Sequence, residues 1–257
     1  MKQRTVTGIV LALMCMVLLI CFHLPLVPQL TTVLLGCGVV WEILEAYRVK
    51  SPLYKILCYA YAVVLPWLPL AENRWVMLVM LLGGLGWFTY LMHCIGKPAK
   101  VYMPGVSVFF AVALYRALAA YGHMENGAVS LCLTGVICAL TDIFAYVVGS
   151  HWGKHKLAYK VSPGKSIEGA VGGLAVTVVL VSVAAGTWFR RTQVLIPYIA
   201  GCSILGQWGD LSMSAVKRVA GVKDFGKIFP GHGGILDRCD SLMYPLAVTW
   251  LLYCFVK

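Results

Sequence analysis

The sequence predicts an all-α polytopic membrane protein of about nine transmembrane helices with a cytoplasmic N-terminus, and three observations predict it. First, 60% of the 257 residues are hydrophobic and only 12% are charged, with a mean hydropathy of +0.83. Soluble domains carry about one-quarter charged residues, and a soluble fold of this composition would need a core larger than a chain of this size encloses. Second, apolar stretches of about 20 residues, the length that crosses a hydrocarbon core, recur from end to end. Third, the cations are asymmetrically placed between those stretches.

The elements follow in order. The run 6–26, behind Lys2 and Arg4, is longer than a signal-peptide core and lacks a small-x-small cleavage pattern, so it is expected to be an uncleaved first span. The second, 29–46, contains Glu42 and Glu45, read as marking its end at the interface. The third, 54–71, carries Pro66 and Pro69, and the fifth, 103–121, carries Arg116; these are the least regular. An arginine at that depth needs a partner, and Asp142 or Glu42 is expected to supply it. The remaining spans are 75–95, 127–149, 169–188, 194–215 and 239–256. Only the connections around 150–168 and 216–238 are long. With no internal repeat or low-complexity tract, 1–257 reads as one integral membrane domain, its N-terminal helices in 1–125 and its catalytic helices and loops in 126–257.

Net charge is +11, from 21 Lys and Arg against 10 Asp and Glu. With nine alternating spans, sixteen cations face the cytoplasm, including Lys154, Lys165, Lys217, Arg218, Lys223, Lys227 and Arg238. Only Arg74, Arg190, Arg191 and Lys257 face the other side, the asymmetry that orients membrane proteins. Anionic headgroups and phosphates would be drawn to the same face. The ten cysteines contain no Cys-x-x-Cys pair and mostly lie in apolar stretches, so they read as packing residues.

Chemistry concentrates in the second half, which holds all five aspartates: Asp142, Asp210, Asp224, Asp237 and Asp240. Asp142 and Asp210 fall within or near spans, where a carboxylate costs roughly 2.5–3.5 kcal/mol and usually has a function. Residues Ser214 to Ser241 combine Lys217, Arg218, Lys223, Lys227 and Arg238 with three aspartates and a Pro-Gly-His-Gly-Gly turn. Glycines such as Gly233 and Gly234 permit positive φ and close backbone approach, which suits a phosphate-cradling loop, and the cations suit a triphosphate. A basic loop lying on anionic headgroups would explain the cations but not the embedded aspartates. Those make sense beside Mg²⁺, which takes one or two carboxylates plus substrate phosphate oxygens. Asp237 and Asp240, three apart, share a helix face if the last span begins there, and Asp210, Ser214 and Lys217 share a face of the span before it. Two facing helix ends would then build one metal cluster.

The segment resembles the signature of the phosphatidate cytidylyltransferases (CDP-diglyceride synthases). It carries Ser214, Lys217 and Arg218, then Lys223 and Asp224, then Pro230, His232, Gly233 and Gly234, and finally Asp237, Arg238 and Asp240. Cys239 stands where that family usually has a larger apolar residue or Thr. Upstream, Asp142-Ile143-Phe144-Ala145-Tyr146 with Gly149, then Gly153-Lys154-His155-Lys156-Leu157, and then Ser162-Pro163-Gly164-Lys165-Ser166-Ile167-Glu168-Gly169 are similar to further family elements. Ile143 replaces the usual small hydroxyl residue. The resemblance covers about 140–245; the first half shares only membrane character.

The resemblance implies transfer of CMP from CTP to phosphatidic acid, giving CDP-diacylglycerol and pyrophosphate, in a site facing the cytoplasm of a bacterial inner membrane. It implies Mg²⁺ on Asp210, Asp237 and Asp240, with room for a second, monovalent cation such as K⁺. Catalytic groups would be Asp210, Lys217, Arg218, Lys223, Asp224, His232, Asp237, Arg238 and Asp240. Asp142, Ser162, Lys165, Glu168, Ser214, Lys227, Gly233 and Gly234 would bind substrate. His232 serves equally well as a phosphate donor or as part of the turn. Partners are CTP, phosphatidic acid and the bilayer; a homodimer is compatible with the sequence, and nucleic acid is not expected. A phosphatidate oxygen is already anionic, so the chemistry asks for positioning and charge neutralisation rather than a strong base. His151 and His155 stand four apart, but Trp152-Gly153 interrupts the helix and zinc is not expected there. A CTP-dependent lipid kinase would use the same nucleotide but release CDP, and a transporter should show broken spans in two related halves, which this one-sided polar pattern lacks.

Overall fold

A computed structural model of the protein describes residues 2–68, 73–186, 192–226, 228–229 and 233–256. Helices dominate, as an apolar chain requires: where water is excluded, a helix satisfies its own backbone N–H and C=O groups. In chain order they are α1 (Lys2–Cys21), α2 (Leu26–Ala46), α3 (Pro52–Val64), α4 (Arg74–Cys94), α5 (Met103–Tyr115), α6 (Ala117–Tyr121), α7 (Gly127–Trp152), α8 (Ile167–Gly186), α9 (Thr192–Ala220), α10 (Leu236–Cys239) and α11 (Met243–Val256). Among the described residues, five helical stretches are long and apolar enough to cross a membrane: Leu26–Ala46, Arg74–Cys94, Met103–Tyr121, Gly127–Trp152 and Ile167–Ala184.

Three expectations change here. The third stretch is helical only over the 13 residues of α3, about 20 Å at 1.5 Å per residue, and Pro66 then tightens Leu65–Trp67 into a 3₁₀ turn; residues 69–71 lie outside the described residues. The fifth stretch, instead of being marginal, is the centre of the bundle: every residue from Ala111 to Tyr121 is buried, Arg116 included, as suits a helix apolar all round. Arg116 sits where α5 passes into α6, and its guanidinium donates to the Leu68 carbonyl at 3.4 Å. Neither Asp142 nor Glu42 forms an ion pair with it. The last stretch does not open as one helix. A turn of α-helix (α10) and a 3₁₀ turn (Asp240–Leu242) precede α11, so Asp237 and Asp240 do not share the face of a regular helix.

The all-α expectation meets one exception. The connection after α7 folds into an antiparallel hairpin of β1 (Lys156–Ala158) and β2 (Ser162–Ser166), with Lys156 opposite Ser166 and Ala158 opposite Ser162. The hairpin is pinned to α8: Glu168 accepts from the Lys154 and His155 backbone N–H groups at 3.1 Å and from the His155 ring at 2.6 Å. Ser166 Oγ caps the helix by accepting from Gly169 N at 3.1 Å.

Helices α7 and α8 meet through small residues. A Cβ on Gly169 would lie 2.6 Å from the Ala145 carbonyl and 3.0 Å from Gly149 Cα, and one on Gly173 would lie 2.7 Å from the Thr141 carbonyl. Gly169 and Gly173 are four apart, the small-xxx-small spacing that lets two membrane helices touch backbone to backbone. Likewise, a Cβ on Gly209 of α9 would lie 2.3 Å from the Asp240 carbonyl, so the 240 turn rests directly on α9. Because the Gly169 contact is to rigid backbone, Gly169→Val should force the helices apart. We expect a loss of about 1–3 kcal/mol, read as a lower unfolding midpoint in detergent, with Gly135→Ala, whose Cβ meets nothing within 4 Å, as the neutral control.

Candidate functional site

These contacts gather the C-terminal ends of α7 and α9, the hairpin, the start of α8 and the 236–240 turns around a cavity of about 520 Å³, within the range of small-molecule sites. Its polar lining comprises Tyr146, Ser150, Ser166 and Gln207 together with Asp142, Ser162, Lys165, Asp210, Lys217, Asp224, Asp237, Arg238 and Asp240. The sequence reading named the last nine as site residues, and four separate chain segments deliver them.

Asp237 organises one side. Its Oδ1 accepts from Lys217 Nζ at 2.7 Å, and its Oδ2 accepts from the backbone N–H groups of Phe225 at 3.1 Å and Gly234 at 3.0 Å. Side-chain exposures of 11% for Lys217 and 7% for Asp237 make this a sheltered pair. The Lys217 ammonium also stands 5.4 Å from the centroid of Phe225, over its ring face. Phe229 and Gly233 exchange backbone hydrogen bonds at 3.0 and 3.1 Å, and Gly233 adopts φ of 85°, a conformation that glycine accepts without steric cost. Lys227 and His232, both expected in the site, lie outside the described residues.

Across the cavity, Lys165 of β2 forms an ion pair with Asp210 of α9, and Ser214 Oγ donates to Asp210 Oδ1 at 3.4 Å. Asp240 is buried and accepts from Ser241 N at 2.8 Å. The charges of Asp142, Asp210 and Asp240 act on one another. The expected trio of Asp210, Asp237 and Asp240 is not drawn together: among the described residues no three His, Cys, Asp or Glu side chains form a ready metal-ligand group. Asp237 faces Lys217 and backbone N–H groups, while Asp210 and Asp240 share their neighbourhood with Asp142. The donor chemistry nevertheless fits a hard cation. Five carboxylates and three cations line the wall, and Asp142, Asp224 and Asp240 enter no ion pair among the described residues. Oxygen ligands with an excess of negative charge are what Mg²⁺ takes.

Other expected residues stand behind the wall. Arg218 braces the hairpin, donating through Nε to the Val161 carbonyl at 3.1 Å and through a terminal nitrogen to Val222 at 3.4 Å. Glu168 is engaged by the 154–155 backbone, and Lys223 is exposed. The first of the two histidines, His151, bonds the Val147 carbonyl at 2.8 Å, and His155 meets Glu168. Sequence reasoning passed over Gln207, whose Nε2 donates to the Ala170 carbonyl at 3.2 Å on the cavity wall; its position one turn before Asp210 was the signal. It also misplaced Glu42, which is fully buried instead of ending α2 at an interface.

A helical bundle with five membrane-length helices, gathering cations and carboxylates around one cavity at its helix ends, is the layout of a membrane enzyme that works on phosphate groups. The pattern of the cytidylyltransferase family matches residues 2–256, and the chain belongs to that family. It is 33% identical to a phosphatidate cytidylyltransferase of Staphylococcus epidermidis over 98% of both chains. It is 31% identical to the phosphatidate cytidylyltransferase of Staphylococcus aureus, again over 98% of both. Identity to an uncharacterized Escherichia coli protein, YnbB, is 39% over 51% of this chain and 45% of that one.

The Lys217–Asp237 pair gives a stability test. Removing one partner of a sheltered pair strands the other charge, whereas removing both can be nearly neutral. Lys217→Met should therefore cost about 3 kcal/mol, and Lys217→Met combined with Asp237→Asn should recover part of it, in a double-mutant cycle of unfolding midpoints in detergent.

Proposed function

We propose that the protein transfers CMP from CTP to phosphatidic acid, forming CDP-diacylglycerol and releasing pyrophosphate, for phospholipid biosynthesis. The observation that carries this is the convergence of nine polar residues from four segments on one cavity in a chain related over 98% of its length to phosphatidate cytidylyltransferases. The phosphatidate oxygen is already an anion, so no residue needs to act as a strong base; the obstacle is bringing two polyanions together. Lys217, Lys165 and Arg238 are placed to offset the triphosphate charge and steady the departing pyrophosphate. Asp237 holds the Lys217 ammonium at 2.7 Å and accepts from the backbone N–H groups of Phe225 and Gly234. Asp210 and Asp240, with Asp142 beside them, are the carboxylates suited to Mg²⁺. When bound, Mg²⁺ would neutralise phosphate oxygens that an excess of carboxylates otherwise repels. Lys165, paired with Asp210, is placed to meet phosphate, and the same carboxylate-rich wall offers oxygen ligands to a monovalent cation such as K⁺.

The proposed setting is a bacterial inner membrane crossed about nine times, with the N-terminus and the cavity on the cytoplasmic side. Contacts between helix ends support the alternation. Gly105 N, at the start of α5, donates to Tyr54 Oη, at the start of α3, at 2.7 Å. Arg74, opening α4, donates to the Cys254 carbonyl, closing α11, at 3.3 Å. Both long loops lie at the cation-rich end, as that orientation requires. The cavity is complete within one chain, so a homodimer would not be needed to build it.

Purified protein given Mg²⁺, labelled CTP and phosphatidate should retain CMP on the lipid and release pyrophosphate, read by mass analysis; release of CDP would instead mark a lipid kinase. Chelating the divalent ion should abolish turnover. Asp210→Asn and Asp240→Asn should each lower kcat at least about 100-fold with the folded fraction unchanged by size-exclusion chromatography.

A further inference from the structure

The segment bearing Asp237, Arg238 and Asp240 has no side-chain cap of its own. The residue before α10 is Ile235, which makes no capping hydrogen bond. The leading N–H groups of a helical turn have no intrahelical acceptor, and left unpaired away from water they are costly. Here the acceptors come from 193 residues away in the chain. Glu42, near the C-terminal end of α2, takes the Ile235 N–H on Oε1 and the Leu236 N–H on Oε2, both at 2.7 Å. The next N–H, that of Gly234, goes to Asp237 Oδ2 at 3.0 Å.

Everything around Glu42 is shaped to this contact. Its side chain is fully buried, as are Val39, Val40 and Ile43 of the same helix. A Cβ on Gly234 would lie 2.2 Å from Glu42 Oε1, and one on Gly226 would lie 3.2 Å from it. The carboxylate therefore reaches the backbone because these two positions carry no side chain. The Lys217 ammonium is ion-paired with Asp237, and the charges of both also bear on Glu42.

We propose that Glu42 is a positioning residue for the reaction: as an acceptor supplied by the N-terminal half, it sets where the turn carrying Asp237, Arg238 and Asp240 stands against α9. The inference rests on the reaction proposed above. Its chemistry is that of a bidentate acceptor. A glutamine at 42 presents one oxygen and one NH₂, so one of the two backbone N–H groups loses its acceptor and faces a donor. An aspartate keeps both oxygens but falls one methylene short.

The test uses four variants of the full chain in detergent, with kcat and KM for CTP and for phosphatidate measured separately and normalised to folded protein. Amide hydrogen exchange of the 234–239 segment serves as an activity-independent readout. Glu42→Gln should lower kcat about 100-fold, the effect of displacing catalytic groups by about 1 Å, with KM for phosphatidate little changed and exchange of the segment accelerated. Glu42→Asp should recover part of kcat. Gly234→Ala, which drives a methyl group into the same carboxylate, should reproduce the Glu42→Gln pattern, and the double variant should be no worse than either alone. Val40→Ala, a cavity in the same stretch of α2, should lower the unfolding midpoint without lowering kcat per folded molecule. The proposal is overturned if Glu42→Gln keeps wild-type kcat and exchange, or if its loss of activity merely follows its unfolding midpoint as for Val40→Ala. Wild-type protein that binds no CTP and makes no CDP-lipid would overturn the reaction instead, and the exchange comparison between wild type and Glu42→Gln would still decide whether the contact holds the turn.

Discussion

A buried carboxylate must be answered by donors, and in this protein the answer organises the site. Asp237 satisfies the requirement with Lys217 and two backbone N–H groups, and in doing so ties the end of α9 to Phe225, Gly234 and α10. Where water is scarce, each of those partners would be costly to leave unpaired, so the carboxylate and the loop specify each other. Two of the site's carboxylates are matched to lysines, Asp237 to Lys217 and Asp210 to Lys165, while Asp142, Asp224 and Asp240 enter no ion pair among the described residues.

That pairing bears on function. A cavity with five carboxylates and three cations on its wall does not invite a triphosphate by itself. Its oxygen ligands suit a hard divalent cation, whose charge, in the proposed reaction, would help offset that of the nucleotide. Lys165 stands on a hairpin strand, not in a membrane-length helix, so the cation nearest Asp210 is carried by the part of the site least constrained by helix packing. The rigid side is α9, where Gly209 lets the Asp240 backbone lie against the helix and fixes the distance between Asp210 and Asp240.

Legibility varied with the kind of signal. Apolar runs located the helices closely because the hydrocarbon core imposes a length that composition reveals directly. The C-terminal motif was legible because its residues are close in sequence and chemically conspicuous; Lys217, Asp237 and Asp240 all reach the cavity wall. Arg218 and Glu168 carried the same conspicuous charge yet hold backbone behind the wall, since a charge pattern does not say which way a side chain turns. Arg116 was expected to pair with a carboxylate such as Asp142 or Glu42; neither forms an ion pair with it, and the Leu68 carbonyl accepts from its guanidinium, an acceptor that sequence cannot display. Pro66 shortened α3 and the turn at 240 delayed α11, both local breaks inside runs that hydropathy averages smooth over.

By itself, then, the sequence determined the membrane class, the helical stretches and the chemical types assembled in the second half, because these depend on composition and short-range spacing. The tertiary structure alone decided which carboxylates share a neighbourhood, which are committed to lysines or to backbone, and that Glu42 of α2 supplies acceptors to Ile235 and Leu236. Those outcomes depend on contacts between residues far apart in the chain, where packing geometry and the need to satisfy each buried donor select among pairings that charge alone leaves equivalent.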